Sequence, residues 1–255
     1  MSSRLAEHVG TRERSEPLSQ PLAPESVQLG LLGSFRLRVD SEPARLAMNG
    51  QRLVCFLALH DGLLLRQHVA GSLWGDTTEQ HASGSLRSAL WRLGGPGHVL
   101  VEVEDSHLRL CPGVAVDIRA SEALARRVLD ESQDLSEADL DDALLSVDLL
   151  PDWTEDWVLV RREYHTQLRL RALEALCRRL SNMGRFGQAV QAGTLAVSGE
   201  PLRESAQRVL VTVHLAEGNV GAALKQYDSF RELLRDELRL DPSREMQTLV
   251  KGLAR

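Results

Sequence analysis

At 255 residues the chain is long enough for one large domain or two ordinary ones, and its 43% hydrophobic content can fill real cores. The longest unbroken apolar run, Leu53 to Leu59, has seven residues and the first ten carry no apolar core, so no membrane span or secretory leader is expected and the chain reads as cytoplasmic. Thirty basic against thirty-six acidic residues give a net charge of −6, which excludes a strongly basic protein that coats nucleic acid but leaves room for a local cationic face.

The first 26 residues hold Pro17, Pro21 and Pro24 among polar residues without hydrophobic periodicity, and read as a flexible arm. Short strands follow at 27–32 and 34–39, the second with clean period-two alternation, separated by Gly33. Helical periodicity then appears at about 51–60, 66–74 and 82–93, divided by Asp61-Gly62 and the polar stretch 75–81. After the glycine-rich break at 94–97 come strand candidates at 98–103 and 107–110. Strands, three compact helices and a closing hairpin outline an α+β winged helix-turn-helix over 27–117.

Beyond Asp117 the strand signals stop. Helical periods fall at about 118–130, 136–149, 155–183, 186–198, 203–217, 220–238 and 242–253, so 118–255 reads as an all-α domain and the chain as mostly α. Within it Leu176–Leu180 aligns with 210–214, Gly184 with Gly218 and Ala189 with Ala223 at one constant offset, 218 − 184 = 34 residues. That is the tetratricopeptide period, in which small residues let paired helices cross closely and glycine ends the first helix of each pair. Pro201 is placed to start the next unit.

Catalytic constellations are not visible. Only Lys225 and Lys251 are lysine, neither preceded by glycine, which excludes a P-loop; no nucleophile elbow, zincin motif or dinucleotide fingerprint occurs, and the eight histidines lack ligand spacing. No catalytic residue, metal or cofactor is expected. Cys55, Cys111 and Cys177 lie 56 and 66 residues apart and read as reduced core thiols.

The helix at 82–93 carries the clearest binding signal. Leu86, Ala89, Leu90 and Leu93 form one apolar stripe, leaving Gly84, Arg87, Ser88, Trp91 and Arg92 on the opposite arc with Ser85 at its edge. Arginine and serine read base edges or clamp phosphate, so this arc is the candidate DNA-reading face, with Trp91 either on it or packed under the wing. Arg66 and His68, at the start of the second helix, are candidate phosphate contacts, and His107 and Arg109 on the hairpin are candidate wing contacts in the minor groove. Trp74 reads as core.

These residues also carry a resemblance. The stretches Gln28-Leu-Gly-Leu-Leu-Gly-Ser-Phe-Arg-Leu37, Gly50-Gln-Arg-Leu-Val54, Leu73-Trp-Gly-Asp76, Ser85-Leu-Arg-Ser-Ala-Leu-Trp-Arg-Leu93 and Glu237-Leu-Arg-Leu-Asp-Pro242 resemble, in order, the Streptomyces antibiotic regulatory proteins. The resemblance implies an OmpR-like winged helix followed by a tetratricopeptide-like bacterial transcriptional activation domain, in the family's small form without an ATPase module. It further implies a transcriptional activator of a secondary-metabolite (antibiotic) biosynthesis cluster. Its protomers would bind double-stranded promoter DNA as a dimer on direct repeats near the −35 element and recruit RNA polymerase with its principal sigma factor. Asp76, Thr77, Thr78, Glu79 and Gln80 fall where the family meets polymerase. Two departures stand out: Gly94-Gly95-Pro96-Gly97 replaces a basic helix extension, and the wing carries Glu102, Glu104 and Asp105. The alternative is a tetratricopeptide-type interaction module whose winged helix does not bind DNA.

Overall fold

The computed structural model describes residues 26–94 and 97–253; the arm expected over 1–26 lies outside them except for Ser26. The chain opens with β1 (Val27–Gly30) and β2 (Arg36–Val39), paired antiparallel so that Leu29 faces Leu37, and β3 (Glu42–Pro43) extends the same sheet. Leu29 and Leu37 point into the core, whereas Arg36 and Arg38 stay exposed, as period-two alternation requires.

Three helices follow, α1 (Met48–Ala58), α2 (Arg66–Leu73) and α3 (Glu79–Arg92), with the short strand β4 (Leu64–Leu65) before α2. Thr78 caps α3, its hydroxyl accepting the His81 N–H, and Glu79 sits in the first turn where the helix dipole favours a carboxylate. After one helical turn, α4 (Gly97–Leu100), come β5 (Val101–Glu104), β6 (His107–Leu110) and β7 (Val114–Val116). The hairpin of β5 and β6 joins β4 in one sheet, and β7 runs parallel to β1 in the other, giving the order β3-β2-β1-β7. Around α1 and the two sheets lies a core of Leu29, Leu53, Phe56, Leu57, Leu86, Leu100 and Leu108. This is a winged helix-turn-helix.

The helical half is built from α5 (Asp117–Leu129), α6 (Asp156–Asn182), α7 (Phe186–Gly199), α8 (Glu204–Ala216), α9 (Val220–Leu238) and α10 (Arg244–Val250). The 34-residue repeat is visible in the backbone. Gly184 and Gly218 adopt φ of 73° and 85°, the left-handed region that glycine enters without a Cβ penalty. At the first, the Arg185 N–H reaches Leu180 O at 2.9 Å and the Gly184 N–H reaches Ser181 O at 2.9 Å; at the second, Asn219 reaches His214 O at 2.8 Å and Gly218 reaches Leu215 O at 3.0 Å. Two identical Schellman closures thus end α6 and α8, every residue number shifted by 34 (185 to 219, 180 to 214). Ala189, Ala192 and Ala223 are fully buried at the crossings, and a Cβ on Gly193 would sit 3.0 Å from Cys177 Sγ. The fold is tetratricopeptide-like.

Several expected elements change. No α-helix forms over 136–149; two 3-10 turns, Glu137–Leu140 and Ala143–Leu145, take its place. Aspartate and serine side chains there bond the local backbone in place of the helical ladder: Ser136 and Asp139 close a capping box, Asp141 Oδ1 accepts the Ala143 N–H, and Ser146 Oγ donates to Ala143 O. The strand expected from 98 begins only at Val101, behind the turn of α4, and the last helix is confined to Arg244–Val250, capped by Ser243. Strands β3 and β4, two residues each, are too short to show alternation, and β7 alternates in burial, Val114 and Val116 inward and Ala115 outward, without a polar residue to mark it in the sequence. Cys55 and Cys177 are buried, and burial pushes the Cys177 thiol up to about 12; Cys111 is only half-buried against the first core. No helix of the described residues is long and apolar enough to cross a membrane.

The two halves meet without a spacer between β7 and α5. Asp117 Oδ1 and Oδ2 accept the N–H groups of Leu31 and Leu32 at 2.8 and 3.0 Å, and Leu32 pairs with Leu149 in an isolated antiparallel bridge. Beneath this junction His165 is buried, its Nε2 3.0 Å from Ser121 Oγ. The Ser121 hydroxyl spends its proton on Leu144 O, so the imidazole must donate from Nε2 and remains neutral with Nδ1 bare. Burial, reinforced by the Arg169 and Arg161 guanidiniums against the opposing pull of Asp148, pushes its pKa down to about 4.

A depressed histidine pKa makes the unfolded chain bind the extra proton. Stability from this residue is therefore complete above its ordinary value of 6.5 and is lost as pH falls from there toward about 4. Urea unfolding at about pH 7 and about pH 5 should show the parent losing roughly 2 kcal/mol more between them than His165→Gln. Equal losses would mean that the folded ring is already accessible to protons.

Candidate nucleic-acid interface

Helix α3 is positioned by its apolar stripe. Leu86, Ala89 and Leu93 are buried in the first core with Ala82, and Leu90 packs partly against it. The opposite arc follows from that orientation: Arg87, Ser88, Trp91 and Arg92 are exposed, while Ser85 and Gly84 are half-buried at its edge. Trp91 is 83% exposed, so it does not pack under the wing. Trp74 is half-buried against the core with the Arg52 guanidinium 5.9 Å from its ring centroid.

The start of α2 lies beside this arc. Leu65, Arg66 and Gln67, together with Glu79, Ser83, Leu86 and Arg87 of α3 and Ser106 of the wing, line one groove of about 420 Å3. Arg66 and Arg87 therefore line the same depression, together with Glu79. Ser83, one turn before Arg87 and one after Glu79, is a lining residue that the sequence reading missed; the i, i+4 spacing 79, 83, 87 was its signal. The backbone at this point is already committed, since the Arg66 N–H donates to Ser106 O at 2.8 Å and ties the wing to α2. His68 is exposed, with its ring 6.0 Å from that of Phe56.

The wing differs from expectation in its charge. Arg109 is not a free cation: its Nε and Nη2 donate to both oxygens of Glu102, at 2.9 and 2.8 Å, across directly opposed positions of β5 and β6. This hydrogen-bonded pairing raises the Arg109 pKa and lowers that of Glu102. Leu108 and Leu110 point inward, which puts His107 and Arg109 on the outer face, and His107 Nδ1 lies 3.4 Å from Ser106 Oγ. Exposed Glu104 and Asp105 form the tip.

The segment expected to meet polymerase divides in two. Asp76, Thr77 and Thr78 form the exposed turn after α2, with Thr77 Oγ1 donating to Trp74 O at 3.0 Å. Glu79 and Gln80 belong to the first turn of α3, and Glu79 accepts a hydrogen bond from Gln67 Nε2 at 2.7 Å inside the groove. Among the described residues no group of three or more histidine, cysteine or acidic side chains could hold a metal ion.

The family model of the bacterial transcriptional activator domain matches residues 116–253, from the end of β7 to just beyond α10. The chain is 27% identical over 244 residues to the regulatory protein AfsR of Streptomyces coelicolor, an alignment covering 89% of this chain and 24% of that protein. It also superposes on a solved structure of Mycobacterium tuberculosis EmbR in complex with a low affinity phosphopeptide. The TM-score is 0.63 at 18% identity, over 88% of this chain and 63% of that one, which is a likeness of fold. The chain thus spans about a quarter of the length of the first and under two thirds of the second.

Pairs such as Glu102 and Arg109 at a half-exposed surface are worth little to folding, so the carboxylate competes with any phosphate for the same guanidinium. Glu102→Gln should tighten binding to random-sequence duplex DNA and steepen the dependence of log affinity on log salt by about one unit. An unchanged slope would show that the wing does not reach the phosphates.

Proposed function

The chain belongs to the bacterial transcriptional activator domain family, as a regulator of the Streptomyces antibiotic regulatory protein type, and we propose on that premise that it is a sequence-specific DNA-binding transcriptional activator. The observation that carries this reading is the outward arc of α3, where Arg87, Ser88, Trp91 and Arg92 stand exposed without an acid among them while the opposite stripe is locked in the core. A rigid helix presenting two guanidiniums and a serine matches the donor requirements of guanine edges and flanking phosphates in a major groove. Arg66 and His68 would add contacts from α2. With Arg109 paired and the wing tip acidic, few cations remain, so each protomer makes roughly three to five phosphate contacts. Two protomers on promoter direct repeats near the −35 element compensate for that weakness; direct repeats demand a head-to-tail contact in place of a two-fold one. The activating step is recruitment of RNA polymerase with its principal sigma factor, and the regulated genes are those of a secondary-metabolite cluster.

Arg87→Ala should cost about 1–3 kcal/mol of operator affinity and flatten preference at one or two base pairs in gel shifts across a salt series. A variant that binds operator and random duplex as the parent does would remove α3 as the reading helix and favour the interaction-module alternative.

The exposed turn of Asp76, Thr77 and Thr78 is proposed as the polymerase contact, a small interface in which charge governs encounter. Glu79 and Gln80 adjoin it from the first turn of α3. Asp76→Ala should leave promoter affinity unchanged and cut run-off transcription several-fold in a purified system. Full transcription would move the contact to the helical half.

A further inference from the structure

A cavity of about 790 Å3 lies away from α3, where the N-terminal sheet meets the helical half. Its walls come from both halves: Phe35 and Leu37 of the β2 region, Leu46 before α1 and Val116 of β7 on one side, Ala120 of α5 and Leu144 of the second 3-10 turn on the other. The size and apolar lining are those of a small-molecule site. Its charged groups are predominantly basic. Arg36, Arg38 and Arg45 all line it and all are exposed, and among the described residues none has a carboxylate within salt-bridge distance. Arg36 Nη2 donates to Leu32 O at 3.1 Å and Arg38 to Ser41 O at 2.9 and 2.6 Å, bonds to neutral carbonyls that leave their charge uncompensated. Asp117 also lines it, with both carboxylate oxygens turned to backbone N–H groups, so three guanidiniums against one carboxylate leave the lining net positive. An apolar hollow rimmed by three unneutralised guanidiniums is complementary to a ligand with an oily body and a single anionic end.

We propose that this cavity binds a small amphipathic carboxylate, its apolar chain or ring against Phe35, Leu46 and Leu144 and its head group on the arginine rim. Because both halves contribute walls, an occupant bridges them and stabilises their junction by mass action. The proposal does not rest on the DNA-binding reading.

Isothermal titration of the full chain with octanoate and with octan-1-ol tests it. Octanoate should bind saturably at one site per chain, and the alcohol, which lacks the charge, about tenfold more weakly. The double variant Arg36→Ala with Arg45→Ala, both exposed and neither part of the core, should bring octanoate down to the alcohol's affinity without changing the alcohol. Ala120→Phe, which places a ring into the hollow from an exposed helical position, should abolish both, whereas Arg87→Ala should bind as the parent does. Circular dichroism confirms that each variant is folded. Equal affinities for acid and alcohol, indifference to the two arginines, or the absence of a saturable heat overturns the assignment, the last including the case in which another part of the chain fills the space.

Discussion

One carboxylate holds the two halves of the molecule in register. Leu31 and Leu32 leave β1 as buried residues whose N–H groups have no strand partner, and the first residue of α5, Asp117, accepts both. Without that acceptor two buried donors would be orphaned, a cost comparable to losing both hydrogen bonds outright. The same peptide segment is held from the other side, by the Leu150 N–H on Leu31 O at 3.0 Å and by the Leu32–Leu149 bridge. The exit of β1 is thus clamped between α5 and the 149–150 segment. Helix α5 then belongs to both cores at once, with Ile118 in the first and Leu124, Ala125 and Val128 in the second.

Guanidiniums complete the clamp. Arg162 donates to three carbonyls, Leu149, Leu150 and Trp153; Arg169 holds Asp148 and Leu145 O; Arg52 joins Glu155 to Leu73 O. The planar fork with five donors suits this stapling of irregular backbone in a way a lysine ammonium does not. Trp157 adds an edge-on contact to Phe56 at 5.3 Å and to Trp153 at 6.3 Å. A chain with twenty-eight arginines and two lysines therefore uses much of its positive charge internally.

That use explains why counting bases along the first half says little about its binding surface. Of the eight bases at 27–117, all arginine, Arg52 and Arg109 are taken by carboxylates, Arg36 and Arg38 are tied to carbonyls, and Arg45 stands at the interdomain cavity. The other three, Arg66, Arg87 and Arg92, lie on α2 and α3. A domain of nearly balanced charge can in this way present cationic surfaces, because neutralisation is local: one group of guanidiniums stands on α2 and α3 and another at the interdomain cavity.

The sequence by itself determined the elements whose information is local or periodic. The α3 stripe of Leu86, Ala89 and Leu93 fixed which residues face outward, and the glycines and alanines spaced by 34 fixed the repeat, because a helical period or a left-handed closure needs no knowledge of what lies far along the chain. The fate of 136–149 was not legible: its hydrophobic spacing is helical, yet aspartates, serines and the distant Leu32 compete successfully for its backbone. Tertiary structure alone decided that Arg109 is neutralised by Glu102, that Glu79 sits in the groove with Arg66 and Arg87, and that Asp117 joins residues 85 and 86 positions away. Each of these is a pairing between groups that sequence lists separately. Charge and hydrogen-bonding capacity are written in the residue type, but the partner that consumes them is set only when the chain has folded.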